Sequence, residues 1–269
     1  MSKIKFSPAG IFVSFFLCAV LAATVISCSR VPITNRKQVV AVSESEMIAM
    51  SVKQYAQFLA KHPPLPNSDS RVVMVKSVGG KIQMAVEQFM KEKKLSKRIA
   101  GYKWEFNVVD DKTVNAWCMP GGKVVVYTGL LPVTQTEAGL AVVMGHEIAH
   151  AVARHGNERM SQAMIAEFGK AALATAVAYQ SQAAQEIFMQ SYGLGSTLGL
   201  LKYSRTHESE ADKLGLVFMA LAGYNPEEAV AFWQRMAKDG SNTLQILSTH
   251  PNDQTRIEDL KKFLPQAKK

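Results

Sequence analysis

Two histidines four residues apart, His146 and His150, stand in an otherwise apolar segment, with Ala141-Val142-Val143-Met144-Gly145 before them and Ile148-Ala149 between. No other feature constrains the fold as strongly. An apolar stretch of helical length belongs in an interior, and buried imidazoles need partners for their ring nitrogens. On a helix, residues four apart share a face one turn apart, so both rings can point at one ion. Neutral imidazole suits zinc, and Glu147 sits at the rim of the same face. Zinc lowers the pKa of a bound water to about 7, where a neighbouring carboxylate can take its proton. The expected set is one Zn²⁺ per chain held by His146 and His150, with Glu147 as the catalytic base.

A catalytic zinc keeps three protein ligands and one open position. Four residues compete for the third place: His207, Glu208, Glu210 and His250. A helix predicted from about Arg205 to Ala222 carries Glu208, Ala211, Asp212, Gly215 and Phe218 on one stripe, with Ala211 and Gly215 small enough for close packing. Glu208 then faces inward. Asp212, one turn on, can accept the second ring N–H of a ligating histidine and fix its tautomer. Glu210 points away on this reading, toward Lys213. His207 borders a second apolar stripe through Leu214, and spacing alone leaves it open.

Around these motifs the pattern reads as mostly helical, α+β. Ser43 and Glu46 have capping-box spacing and open a helix that ends before Pro63-Pro64-Leu65-Pro66. A second helix is expected from about Asp69 to Lys94, bent near Gly79-Gly80. Runs at 104–109, 114–119 and 123–127 read as strands of a small antiparallel meander. The histidine helix is expected to start at Thr134, with Glu137 three residues on, and to end near Gly156, making His155 a helix-end cation. The stretch from Lys170 to Lys202 is poor in charge and reads as a hydrophobic hairpin, core or lipid-touching, without a spanning run. Helices starting at Asn225-Pro226 and near Gln254 complete the chain.

The amino end reads as an address. Lys3 and Lys5 precede an uncharged apolar run from Ile11 to Ile26, and Val25-Ile26-Ser27-Cys28 follows the aliphatic-aliphatic-small-Cys form of a bacterial lipoprotein signal. On that reading residues 1–27 are removed and Cys28 is lipidated. Residues 28–42 are then a membrane tether, 43–269 are the folded domain, and Cys118 is a small buried thiol. The net charge of +9 is scattered, without the aromatic-plus-basic cluster that nucleic acid requires, so no nucleic-acid partner is expected.

These residues resemble the membrane-associated zinc endopeptidases that include the CAAX prenyl endopeptidase, the stress protease HtpX and bacterial lipoprotein relatives. Ser204-Arg205-Thr206-His207-Glu208-Ser209-Glu210-Ala211-Asp212 matches that family's second motif. The resemblance implies a gluzincin-type fold with Glu208 as third zinc ligand and Asp212 as the carboxylate behind it. Asn115-Ala116-Trp117-Cys118-Met119-Pro120-Gly121-Gly122 is similar to the family's edge strand, so Asn115, Ala116 and Trp117 would pair with extended substrate. His250, in Ser248-Thr249-His250-Pro251, would reach the open zinc position as a latch, assist the oxyanion, or merely cap a helix. Arg256 and Tyr203 are further oxyanion candidates.

The resulting expectation is a lipid-anchored endopeptidase acting on unfolded or misassembled envelope proteins from a bacterial outer membrane facing the periplasm. The rival is a chaperone-like binding lipoprotein with a latent or structural zinc site.

Overall fold

The computed structural model of the protein describes residues 27–176, 182–194, 203–238, 246, 248, 250 and 254–268. The expected signal up to Ile26 and parts of the 170–202 stretch lie outside the described residues. The elements are β1 (Ser27–Arg30), β2 (Lys37–Val40), α1 (Glu44–Lys61), α2 (Ser70–Glu92), β3 (Glu105–Val109), β4 (Ala116–Met119), β5 (Lys123–Tyr127), α3 (Glu137–Ala153), α4 (His155–Ala176), α5 (Gln182–Ser191), α6 (Arg205–Leu221), α7 (Glu228–Lys238) and α8 (Gln254–Ala267). The chain is α+β and mostly helical, with its small sheet against the histidine helix.

Helix α3 is the axis of the fold. Thr136, rather than Thr134, caps it by accepting from the Gly139 N–H at 3.0 Å. Its residues from Gly139 to Ala153 are all buried, as expected of a helix apolar on every side. It packs against β4 on one flank and α6 on another, with α2 and α7 closing the shell. Its carbonyl end is held by Arg98, which donates to Val152 O at 2.6 Å and Ala153 O at 2.8 Å. Arg154 then adopts the left-handed conformation with φ 64°, so the chain breaks direction and α4 begins one residue later.

The predicted strands form, but not as an antiparallel meander. The order is β3-β5-β4, with β4 antiparallel and β3 parallel to β5. The connection after β3 is no tight hairpin. Asp111 accepts from Thr113 N (2.8 Å) and bonds across to Thr128 Oγ1 and Gly129 N, which carries the chain over the end of β5. A Cβ on Gly129 would stand 2.1 Å from Lys112 O, so this crossing requires glycine. The sheet thus leaves β4, beside α3, as an edge.

Two other expectations change. Helix α2 runs through Gly79-Gly80 without interruption; Gly79 is there because a Cβ would meet the Phe106 ring at 2.5 Å. Residues read as a tether are instead an ordered hairpin, β1 paired with β2, with Val31, Gln38, Val40 and Val42 buried. Apolar alternation over so few residues is too weak a signal to find it. Arg98 donates from the same guanidinium to Arg30 O and Gln38 Oε1, and Asn157 donates to Val42 O. The hairpin is therefore bolted to the end of the histidine helix. Helices α4 and α5 pack against each other, while the expected hairpin from Lys170 to Lys202 lies partly outside the described residues; no described helix is long and apolar enough to cross a membrane.

Candidate metal centre

One helix turn brings His146 and His150 together, their Nε2 atoms 3.0 Å apart. Helix α6 crosses α3 at a glycine contact: a Cβ on Gly215 would lie 3.2 Å from His146 N, and one on Gly145 3.3 Å from Gly215 O. That close approach delivers Glu208, whose carboxylate lies 3.4 Å from His146 Nε2 and 3.3 Å from His150 Nε2. Ser204 caps α6, accepting from His207 N, so Glu208 sits in the first turn. His250 joins from the other side, its Nδ1 3.2 Å from His146 Nε2 and 3.0 Å from Glu208 Oε1.

The four ligating atoms lie within 4.8 Å of one another, and all four residues are buried. Ligands about 2.0–2.2 Å from a tetrahedral ion stand roughly 3.3–3.6 Å apart, close to the separations seen here. The donor chemistry fits a cation too. His146 Nδ1 faces Asp212 Oδ1 at 2.9 Å; a carboxylate accepts, so in the neutral ring that nitrogen carries the proton and Nε2 presents a lone pair. Lone pairs and a carboxylate meeting in the interior repel one another unless a positive charge sits between them. The residues thus fit one zinc ion.

Behind the ligands, Arg256 forks onto Asp212 with Nε to Oδ2 at 2.8 Å and Nη2 to Oδ1 at 2.7 Å, and places Nη1 3.0 Å from Glu208 Oε2. It also stacks on Trp233, 3.5 Å from the ring centroid. Arg256 is thereby committed to the two carboxylates. Tyr203 packs against His150 at a tilt of 38°, with centroids 3.9 Å apart, and its hydroxyl donates to Ser191 O. Glu147 is buried, which raises its carboxyl against the pull of His250 and His146. Its Oε1 has no hydrogen bond, and His250 Nε2 stands 3.5 Å from it.

Two sequence readings are corrected here, and the open candidate His207 is placed. Glu210 does not point outward toward Lys213; it is buried and accepts from Thr34 Oγ1 (2.5 Å) and Arg36 Nε (3.0 Å). Burial would raise its carboxyl, but bonds from His155, Arg36 and Thr34 lower it to about 2. His155 is no helix-end cation: it opens α4 fully buried, and desolvation lowers it to about 4 in spite of Glu210. His207 is turned away from the metal ligands onto Glu158 Oε2 at 3.1 Å. Cys118 is a free buried thiol, pushed up by desolvation and by Glu147. Asn115, Ala116 and Trp117 lie at β4, and Trp117 is wedged edge-on against Tyr55 and Phe58 at 6.1 and 5.0 Å. Arg36, Glu158 and His155 have no signal of their own in the sequence, since they meet only through the folded hairpin.

A profile described as Peptidase family M48 matches residues 77–264. The chain is 34% identical over 242 residues to the mitochondrial metalloendopeptidase OMA1 of Schizosaccharomyces pombe, covering 88% of this chain and 66% of that relative. It is 37% identical over 178 residues to the Saccharomyces cerevisiae protein of the same name, covering 62% and 49%. The beta-barrel assembly-enhancing protease of Escherichia coli is 27% identical over 166 residues, covering 58% and 33%. The chain thus spans less than two thirds of the length of these curated relatives. The expected outer-membrane, periplasm-facing location is overturned, because the relatives matching 88% of the chain are mitochondrial by name.

Proposed function

Because the chain belongs to Peptidase family M48, we propose that it is a zinc metalloendopeptidase cleaving extended segments of unfolded or misassembled proteins. The observation that carries the reading is the convergence of His146, His150 and Glu208 on one buried point with Glu147 beside it. Zinc bound there supplies Lewis acidity for the scissile carbonyl and makes water a better acid. Asp212 holds His146 in the ligating tautomer, and Arg256 holds Asp212 and Glu208 in place. Glu147 Oε1, free of hydrogen bonds, takes the proton of the attacking water and passes it to the leaving amine.

Substrate is held at the edge of β4. An extended peptide adding there pairs through backbone groups with little sequence preference. Asn115 O is taken by Tyr127 N of β5 at 3.1 Å, so the alternating pattern of an antiparallel pair turns the backbone of Ala116 to the free edge, while Trp117, fixed by Tyr55 and Phe58, keeps the strand in position. The resting form is latent. His250 fills the remaining side of the metal centre, and Ile246 N, one turn back, donates to Val114 O beside the same edge at 3.3 Å. Substrate must displace this segment, which frees His250 to donate toward the oxyanion.

Membrane attachment is proposed at Cys28 through lipid, supported by the residues from Val25 to Cys28; intact-mass analysis of membrane-extracted chain tests it.

Zinc content and casein cleavage of the full chain test the enzymatic reading. One zinc per chain is expected in wild type, Glu147→Gln and His250→Ala. Cleavage falls at least ~100-fold in Glu147→Gln, the contribution of a general base, and rises in His250→Ala. Zinc without cleavage in all three favours the chaperone-like binding protein, a reading that the buried, latched site also supports.

A further inference from the structure

The zinc ligand His150 has a ring nitrogen that the catalytic reading leaves unexplained. Its Nδ1 lies 3.0 Å from Nδ1 of His155. The other nitrogen of His155 lies 3.1 Å from Glu210 Oε2. Glu210 is gripped by Arg36, which donates from Nε and Nη2, and by the Thr34 hydroxyl, both from the amino-terminal hairpin. This arrangement is a row of buried groups from hairpin to metal ligand, with the His155 ring also stacked on His207 at 4.6 Å.

The order of protons along that row is forced. A carboxylate only accepts, so neutral His155 carries its proton on Nε2. Its Nδ1 is then a lone pair, which requires His150 to carry its proton on Nδ1. His150 Nε2 is left bare and faces the metal position. Without the Glu210 acceptor, His155 could turn its proton to Nδ1, and the His150 tautomer that binds metal would lose its support. Arg36 keeps Glu210 there while sharing itself with Glu158, donating from Nη1 to Oε1 and from Nη2 to Oε2, both at 2.8 Å.

We propose that Arg36, Glu210 and His155 are positioning residues for zinc ligand His150, so that the β1–β2 hairpin is a working part of the metal centre. The proposal rests on the zinc-site reading above and extends it to a segment 174 residues from Glu210 in sequence. A hairpin drawn off the body takes Arg36 and Thr34 with it and loosens the ligand.

The test is zinc affinity of the full chain, by competition with a chromogenic chelator, and the visible spectrum of the cobalt-substituted protein. Glu210→Gln and Arg36→Met are expected to weaken zinc roughly 10–100-fold, the usual effect of removing a partner behind a metal ligand, and to shift the cobalt bands. Arg36→Lys, which keeps the charge and loses the fork, recovers part of the affinity. Ile82→Val, a buried substitution in α2 away from the row, serves as a destabilised-core control and leaves affinity and spectrum unchanged. If wild type binds one zinc and Glu210→Gln and Arg36→Met bind it equally well with unaltered cobalt bands, the positioning role is wrong while the zinc site stands. If wild type binds no zinc, the zinc reading itself fails and the proposal with it.

Discussion

Asp212 accepts from both His146 Nδ1 and Arg256, using one oxygen for the histidine and both for the guanidinium. An amide cannot copy this, because its nitrogen donates where the site needs an acceptor. Asp212→Asn should therefore lower zinc affinity by about 10–100-fold, read by chelator competition, with little change in helix content by circular dichroism. At this scale the metal motif was legible from sequence: a helix repeat places His146 over His150, and the stripe through Glu208, Ala211 and Asp212 is buried as the spacing requires. Glu210 was not. Local reasoning pairs it with Lys213 three residues on, whereas Arg36 and Thr34 reach it from the far end of the chain. His155 was misread for a related reason. A histidine after a helix end is treated as solvated, yet the left-handed Arg154 turns it back into the core beneath His150.

At the scale of elements, the distance between α3 and α6 sets the metal site. Gly145 and Gly215 let the two backbones approach, and a Cβ at Gly215 would sit 3.2 Å from His146 N, where only backbone can give way. Gly215→Ala should part the helices by a few tenths of an ångström, costing about 1–3 kcal/mol as overpacking does, and should lower zinc affinity several-fold. Thermal melting and chelator competition report the two effects separately. Helix ends were largely readable, since Ser43, Asp69 and Ser204 each cap as their side chains suggest. Strand order was not. Short apolar runs mark β3, β4 and β5 but carry no information on partner. The parallel β3–β5 pairing follows from Asp111 bonding to Thr128 and Gly129, a contact visible only once the strands are placed.

At the scale of the molecule, the hairpin, the histidine helix and α6 meet in one buried polar layer. Glu158 belongs to it, held by Arg36, His207 and Gln38. Burial raises its carboxyl, but these partners more than offset that and hold it well below the usual carboxylate range. A depressed carboxylate stabilises the fold above its unfolded pKa and ceases to as pH falls through the folded one. Acid should therefore destabilise the chain below about pH 4.5, and Glu158→Gln should flatten that limb of stability against pH while being less stable at neutrality. Denaturant melts across pH 3–7, a window set by the same linkage, measure both.

The zinc coordination of the purified full chain, read by X-ray absorption, bears most directly on the whole account. It predicts one zinc with a shell of nitrogen and oxygen from His146, His150, Glu208 and His250, losing one imidazole in His250→Ala. A sulfur shell near 2.3 Å, or a chain that retains no zinc, would contradict it.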